Sequence, residues 1–355
     1  MLKDELYIDI SWLNYELSGG GKQSCLNIIN SICKNENFNK KEKFLIVNKK
    51  IIKDFKFVKD FNFIFLPSNK FANFLVRWFV LLFLKKKNVK QVYFCLNVYF
   101  PLIKNNFEVI NLLQDMQWRS YPDNFSKLRI FWLKFNGYLC LKNSDKIFFI
   151  SNFLKRDYNK YYSFKKKTKV TLLPFELKKK INSKFTFKRN SFFFALSSNL
   201  KHKNLDIIIK TFNDKTLNIN KKLVIAGIGQ KQNIKHKNIK ILKNISENEK
   251  IWLYKNCFCY LHPSLYEGFG MTLVEALFYS RNILVSDIPP LREIGLNFIQ
   301  YVKRPEELIN WKINIKNVLQ SSKIIVKNKK LKAHLKRFDP NIFSERLYNF
   351  IYLNI

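Results

Sequence analysis

Strand-like and helix-like segments alternate along the whole chain, which predicts an α/β protein made of two doubly wound domains. Two observations carry this. Short apolar runs recur through both halves, separated by stretches whose apolar positions follow helical spacing. At 355 residues, 47% of them hydrophobic, the chain is long enough to fill two cores and too apolar to be disordered. Strands alternating with helices form a mostly parallel sheet covered on both faces.

The first domain is expected over 1–178, with strands at 7–12, 43–47, 62–66, 91–96, 108–113, 146–150 and 169–173. Helical patterns fall at 22–33, 72–84, 125–141 and 152–162. Pro174 ends the last strand, and the charged stretch 176–190 has no clear period and reads as a linker. The second domain is expected over 188–335, with strands at 191–196, 222–226, 238–242, 257–261 and 282–286 and helices at 204–212, 247–255 and 271–279. The tail from 306 reads as helices broken near Pro340, and 336–355 is expected as a C-terminal helix packing back towards the first domain. Two such domains place a ligand cleft between the carboxyl ends of their strands.

Charge and cysteine usage narrow the function classes. A net charge of +38 should draw the chain to nucleic acid or an anionic membrane surface. The bland alternative is genome composition, because Lys, Asn, Ile and Phe are all frequent and the lysines are spread along the chain. No nucleic-acid-binding motif is present, so nucleic acid is not the expected partner. Cys25, Cys33, Cys95, Cys140, Cys257 and Cys259 include no C-x-x-C pair and read as reduced core residues of a cytosolic protein. The first residues have no apolar stretch of the signal-peptide kind.

One segment suggests membrane contact. Residues 71–84 are almost wholly apolar, interrupted by Asn73 and Arg77 and followed by Lys85, Lys86 and Lys87. That is too short to span a bilayer, which needs about 20 helical residues. It fits either an interfacial helix with its lysines on anionic headgroups or a core helix packed on the first sheet.

The segment at 263–276 says most about chemistry. It reads Pro-Ser-Leu-Tyr-Glu-Gly-Phe-Gly-Met-Thr-Leu-Val-Glu-Ala, with Glu267 and Glu275 eight residues apart around a Gly-Phe-Gly turn. A buried strand precedes it and an apolar helix follows. A helix N-terminus opened by a glycine turn offers free backbone N–H groups and a positive end, which suit a phosphate. A carboxylate on either side suits hydroxyl groups instead. Together they describe a site for a sugar nucleotide.

This string resembles the signature of the retaining glycosyltransferases of family 4, of the glycosyl transferases group 1 type. The resemblance implies the GT-B fold, two doubly wound Rossmann-like domains facing across a cleft. It implies that Glu267 lies near the donor sugar and Glu275 binds the nucleotide ribose. Backbone amides around Gly268, Phe269, Gly270, Met271 and Thr272 would then hold the diphosphate.

Further segments at strand ends fit the same reading. Ser18-Gly19-Gly20-Gly21-Lys22 follows the first strand, and relatives carry a glycine-rich loop there that contacts the donor diphosphate, so Gly20 and Gly21 are donor-site candidates. Lys201 and Lys203 end the first strand of the second domain as a cationic pocket for a leaving diphosphate, stabilising charge that grows as the glycosidic bond breaks. Gly227 and Gly229 resemble the turn flanking the nucleotide base, and Asp287 to Glu293 the family's downstream loop.

Another segment, at a strand end of the first domain, departs from the family. Gln114 stands where relatives commonly carry a histidine, so it can hydrogen-bond a sugar hydroxyl but cannot act as a base. Asp115 becomes the carboxylate that would orient the acceptor, unless it caps the next turn. Trp118 completes the acceptor-side candidates. Ser280 replaces a glycine usual in relatives.

The expected activity is therefore a retaining hexosyltransferase. It would move a sugar from GDP-mannose or a UDP-hexose to a hydroxyl of a glycan or lipid-linked acceptor, as in cell-surface polysaccharide or lipopolysaccharide synthesis. Glu267, Lys203 and Asp115 are the catalytic candidates. No Asp-x-Asp occurs, so no metal or other cofactor is expected. The expected location is the cytoplasm, or the inner face of the cell membrane as a peripheral protein. Two rivals stand beside this reading: a phosphorylase or sucrose-type enzyme of the same fold, and a catalytically decayed basic protein binding an anionic membrane or nucleic acid.

Overall fold

The computed structural model describes residues 3–13, 20–55, 58, 60–84, 87–163, 167–178, 185, 187–217, 219–227, 237–320 and 329–353. The chain divides into two compact units, Met1–Glu176 with Arg337–Ile355, and Leu177–Lys336.

The first unit is built on seven parallel strands, β1 (Glu5–Asp9), β2 (Glu42–Asn48), β3 (Asn62–Leu66), β4 (Gln91–Cys95), β5 (Glu108–Leu113), β6 (Lys146–Phe149) and β7 (Lys167–Val170). Their order is β3-β2-β1-β4-β5-β6-β7. The sheet therefore reverses direction of growth between β1 and β4, both buried along their whole length. Burial on both faces is why these strands read as continuous apolar runs. Such a reversal opens a crevice at the carboxyl ends of the central strands.

β1 ends earlier than its apolar pattern suggests. Asp9 Oδ1 accepts hydrogen bonds from the backbone N–H of Ser11 at 2.8 Å and from its hydroxyl at 2.6 Å, closing a turn where a strand was expected to continue to residue 12. The apolar stretch at 71–84 likewise divides into a helix, Lys70–Trp78, and a 3₁₀ turn, Val80–Leu82. The tail returns to this unit. Its helix Pro340–Tyr348 packs on the helix Gly20–Cys33, where Asn35 Nδ2 donates to Ser344 Oγ at 3.1 Å.

The second unit carries six parallel strands, β8 (Phe192–Leu196), β9 (Lys222–Ala226), β10 (Ile239–Leu242), β11 (Cys259–His262), β12 (Ile283–Ser286) and β13 (Gln300–Val302). They run β10-β9-β8-β11-β12-β13, so the switch point lies between β8 and β11. Trp311, Phe193, Leu261 and Leu284 share one core beneath them. Residues 257–258, expected to begin this strand, fall outside β11 because Cys257 closes the preceding helix, Glu247–Asn256, donating its N–H to Leu253 O at 2.9 Å. That helix starts with a capping box between Ser246 and Glu249.

Several elements were not expected. β13 is three residues long, and the helix Pro289–Gly295 begins with two prolines, which the first turn tolerates because its N–H groups need no helical partner. Phe185 and Phe187, in the stretch expected as linker, pack on Trp252 with ring centroids 5.7 and 6.4 Å away.

Candidate functional site

The switch point of the second unit gathers the charged residues. After β8 the chain makes a 3₁₀ turn, Lys201–Lys203, and Asn204 adopts a left-handed φ of 49° to start the helix Leu205–Asn213. Beside it, β11 ends at His262, and the following loop reaches Gly270 before the helix Met271–Tyr279. A backbone hydrogen bond from Leu265 N–H to His202 O, 2.7 Å long, ties the two loops together.

Gly270 has a φ of +103°, and a Cβ there would lie 2.8 Å from Leu291 Cδ2. The conformation thus requires glycine at this turn, and a Cβ would displace the tip of the Leu291 side chain. Gly227, after β9, has a φ of +85°, and a Cβ there would meet the backbone oxygen of Ser197 at 2.7 Å. Gly229, like Ser18 and Gly19, lies outside the described residues.

This geometry brings Lys203 onto Glu267. The ammonium lies 2.6 Å from Glu267 Oε1, and His262 Nε2 lies 2.9 Å from the same oxygen. His262 Nδ1 is in turn 3.4 Å from the Thr272 hydroxyl. Burial alone would raise the Glu267 pKa. The Lys203 charge and the His262 contact outweigh it and hold the carboxyl well below the usual range. His202, packed inward, is pushed down to about 4 by burial and by the charge of Lys203.

Glu275 sits about one turn into the helix and is 4% exposed. Its Oε1 accepts from Lys250 Nζ at 2.8 Å, and Lys250 also reaches Glu247 at 3.0 Å. One lysine thus serves two carboxylates. Burial raises the Glu275 pKa by more than Lys250 recovers. Burial also opposes the charge on Lys250, but its two acidic neighbours prevail and raise its pKa. Glu275 Oε2 is buried and has no hydrogen-bond partner among the described residues. A buried carboxylate oxygen without a donor is costly, and a ligand hydroxyl would satisfy it.

The other donor-side candidates take distinct places. Phe269 and Met271 bury their side chains. Lys201 is exposed at the mouth of the same turn. Asp287 and Arg292 form a two-pronged pair at 2.5 and 2.7 Å, with the guanidinium 3.9 Å from the Tyr301 ring centre.

In the first unit, Gly20 and Gly21 open the helix Gly20–Cys33, and a Cβ on Gly21 would come within 3.1 Å of Trp12. Gln114 is engaged on both sides. Its oxygen accepts from Ser24 Oγ at 3.0 Å, and its amide donates to Leu96 O at 2.8 Å. It therefore ties the first helix to the ends of β4 and β5, where a sugar-binding side chain was expected. Asp115 is exposed, and its Oδ1 accepts from Gln117 N–H at 3.4 Å, the turn-capping alternative. Trp118, at 2% exposed, packs over Gly137, so it supports the next helix and offers an acceptor no stacking face.

Sequence reading missed His262 and Lys250 as partners of the two glutamates. It also missed a buried cluster at the end of β1, where Asp9 Oδ2 accepts from Arg77 Nε at 3.1 Å and Nη2 at 2.9 Å, and from the Tyr93 hydroxyl. Arg77 stacks 3.8 Å from the Tyr99 ring centre. The arginine that interrupts the apolar stretch at 71–84 therefore points into the unit. Among the described residues, no three His, Cys, Asp or Glu side chains are grouped to hold a metal, and no helix is long and apolar enough to cross a membrane.

Residues 178–335 match the family Glycosyl transferases group 1. The O-antigen chain mannosyltransferase RfbU of Salmonella typhimurium is 30% identical over 140 residues, which cover 37% of this chain and 39% of RfbU. The sucrose-phosphate synthase of Thermosynechococcus elongatus superposes with a TM-score of 0.77 at 11% identity, covering 99% of this chain and all of that one. Anabaena HepE, solved in complex with UDP-glucose, gives 0.70 at 14% identity, covering 98% of this chain and 99% of HepE. The chain has the two-domain GT-B fold of these structures.

Proposed function

We propose that this protein is a retaining glycosyltransferase of family 4. It would transfer a sugar from a nucleotide-diphosphate donor, GDP-mannose or a UDP-hexose, to a hydroxyl of a glycan acceptor in lipopolysaccharide or related cell-surface synthesis. The observation that carries this is the pair of unlike glutamates flanking one glycine turn. Glu267 is held ionised beside a lysine, and Glu275 is buried with one oxygen lacking a donor among the described residues. The match of 178–335 to Glycosyl transferases group 1 and the likeness to RfbU support it.

In this reading the ribose hydroxyls donate to Glu275, and its orphaned Oε2 gains a partner. The diphosphate sits over the N-terminus of the helix Met271–Tyr279. As the glycosidic bond breaks, negative charge grows on the departing diphosphate, and Lys203 and Lys201 stabilise it without a metal. Glu267 positions the donor sugar and shares Lys203 with that diphosphate. The acceptor hydroxyl attacks from the same face, and its proton passes to a leaving phosphate oxygen. The acceptor is lipid-linked and is reached from an anionic membrane surface.

The test is sugar transfer to a lipid-linked glycan fraction, with the product's anomeric configuration read by NMR. Transfer with retention is expected from wild type, and its loss from Lys203→Ala and Glu275→Ala. Unchanged transfer in both variants would refute the assignment.

A further inference from the structure

Lys250 stands on the buried side of the helix Glu247–Asn256, where its buried neighbours include Ile251, Leu253 and Tyr254. Only 11% of its side chain is exposed. A leucine or methionine would fill that place without taking an ammonium out of water. The lysine is instead held by two carboxylates, Glu275 Oε1 at 2.8 Å and Glu247 Oε1 at 3.0 Å.

Balancing the charge of Glu275 does not account for this arrangement. A lysine with that role alone would be matched one to one, whereas here two carboxylates share one ammonium. An ammonium carries three N–H donors, and these two partners take one each. Among the described residues the third N–H meets no acceptor.

Glu275 offers the complement. Its Oε2 is buried and accepts from no donor among the described residues. An unused donor and an unused acceptor therefore stand on two side chains already joined at 2.8 Å. A hydroxyl satisfies both at once, because it accepts through its lone pairs while donating its proton. An apolar group would leave both unpaired. A phosphate dianion would bring Oε2 no proton and would add like charge beside two carboxylates.

On the proposed reading of this turn as a nucleotide-sugar site, we propose that Lys250 is a further donor-binding residue, which reads one ribose hydroxyl jointly with Glu275. The third N–H of Lys250 donates to the hydroxyl oxygen, and the hydroxyl donates to Glu275 Oε2. Lys250 also engages Oε1. A carboxylate gripping both ribose hydroxyls is thus replaced by a pair gripping one of them in both directions, and the neighbouring hydroxyl adds little.

The test is calorimetric titration of the full chain with UDP, GDP and ADP and with the 2′-deoxy and 3′-deoxy form of each. For the base that binds, one deoxy form should bind at least about tenfold more weakly than the ribonucleotide and the other within about threefold of it, because one hydroxyl makes the hydrogen bonds to charged groups. Lys250→Met should narrow the difference between the two deoxy forms at least about threefold. Lys250→Gln, which keeps an N–H donor, should retain more of it. A thermal melt shows whether each variant is folded, and the wild-type comparison decides if neither is. Equal weakening by both deletions, no weakening by either, or the full wild-type difference in folded Lys250→Met would overturn the proposal. Binding of a diphosphate without that difference leaves the nucleotide-sugar reading standing, whereas no binding of any member removes both.

Discussion

Lys203 and Glu267 form an ion pair 2.6 Å long across two loops that leave neighbouring strands 64 residues apart. Glu267 would otherwise be a buried anion with only His262 beside it. The lysine thus keeps the carboxylate charged, and in the proposed reaction a leaving diphosphate would compete for it.

Lys203→Met should therefore lower stability as well as activity. Breaking a buried pair costs about 3–5 kcal/mol, and the partial exposure here reduces that to roughly 2 kcal/mol. Urea unfolding at neutral pH checks the value.

The same pair sets an acid limb. Because the Glu267 pKa is lowered on folding, its stabilising contribution is complete above the ordinary glutamate value of 4.5 and is lost progressively as pH falls below it. Glu267→Gln should flatten this part of the stability–pH curve, measured by thermal unfolding from neutral pH downwards.

Glu275 should behave in the opposite way. Its pKa is raised on folding, so it contributes stability at low pH that is lost as pH rises through the raised value. Glu275→Gln should leave stability at neutral pH equal or higher. It should weaken donor binding roughly tenfold to a hundredfold, the weight of a charged hydrogen bond of about 1.5–3 kcal/mol. Calorimetric titration with the donor, beside a melt of the same variant, separates the two effects.

His262 orients Glu267 from the end of β11. His262→Asn should reduce kcat about tenfold to a hundredfold, the scale of a small misplacement, with a smaller change in donor KM. Steady-state kinetics at saturating acceptor would show the split.

Arg77→Met tests the cluster under β1. It strands the fully buried Asp9, so a loss of about 3–5 kcal/mol is expected. Arg77→Met with Asp9→Asn should recover part of that loss in the same urea assay.

The sheets were legible because buried parallel strands leave continuous apolar runs, which periodicity finds. Boundaries failed where side chains intervene. Asp9 stops β1 by bonding Ser11, and Cys257 belongs to a helix end that its apolar neighbours disguise. β13 is too short to show a period, and Pro289-Pro290 resembles a loop until it is placed in a first turn.

The site was legible as a string and hidden as a set of contacts. Glu267 and Glu275 stand out through their glycine turn. Nothing in spacing ties Glu275 to Lys250, 25 residues earlier, or Asp9 to Arg77, 68 residues later. Gln114 could be recognised as a departure from a histidine, but its clamp between Ser24 and Leu96 appears only once β4 and β5 are paired. Lysines are so common in this chain that nothing in the sequence sets Lys250 apart.

The most direct measurement is thermal unfolding of the purified chain with a panel of UDP-, GDP- and ADP-sugars and the free diphosphates. Donor binding predicts stabilisation by sugars of one base, about 2.7 kcal/mol at a hundredfold excess over Kd. That stabilisation should disappear in Glu275→Ala. No stabilisation of wild type by any member of the panel, or an equal effect in Glu275→Ala, would contradict a nucleotide-sugar site at this turn.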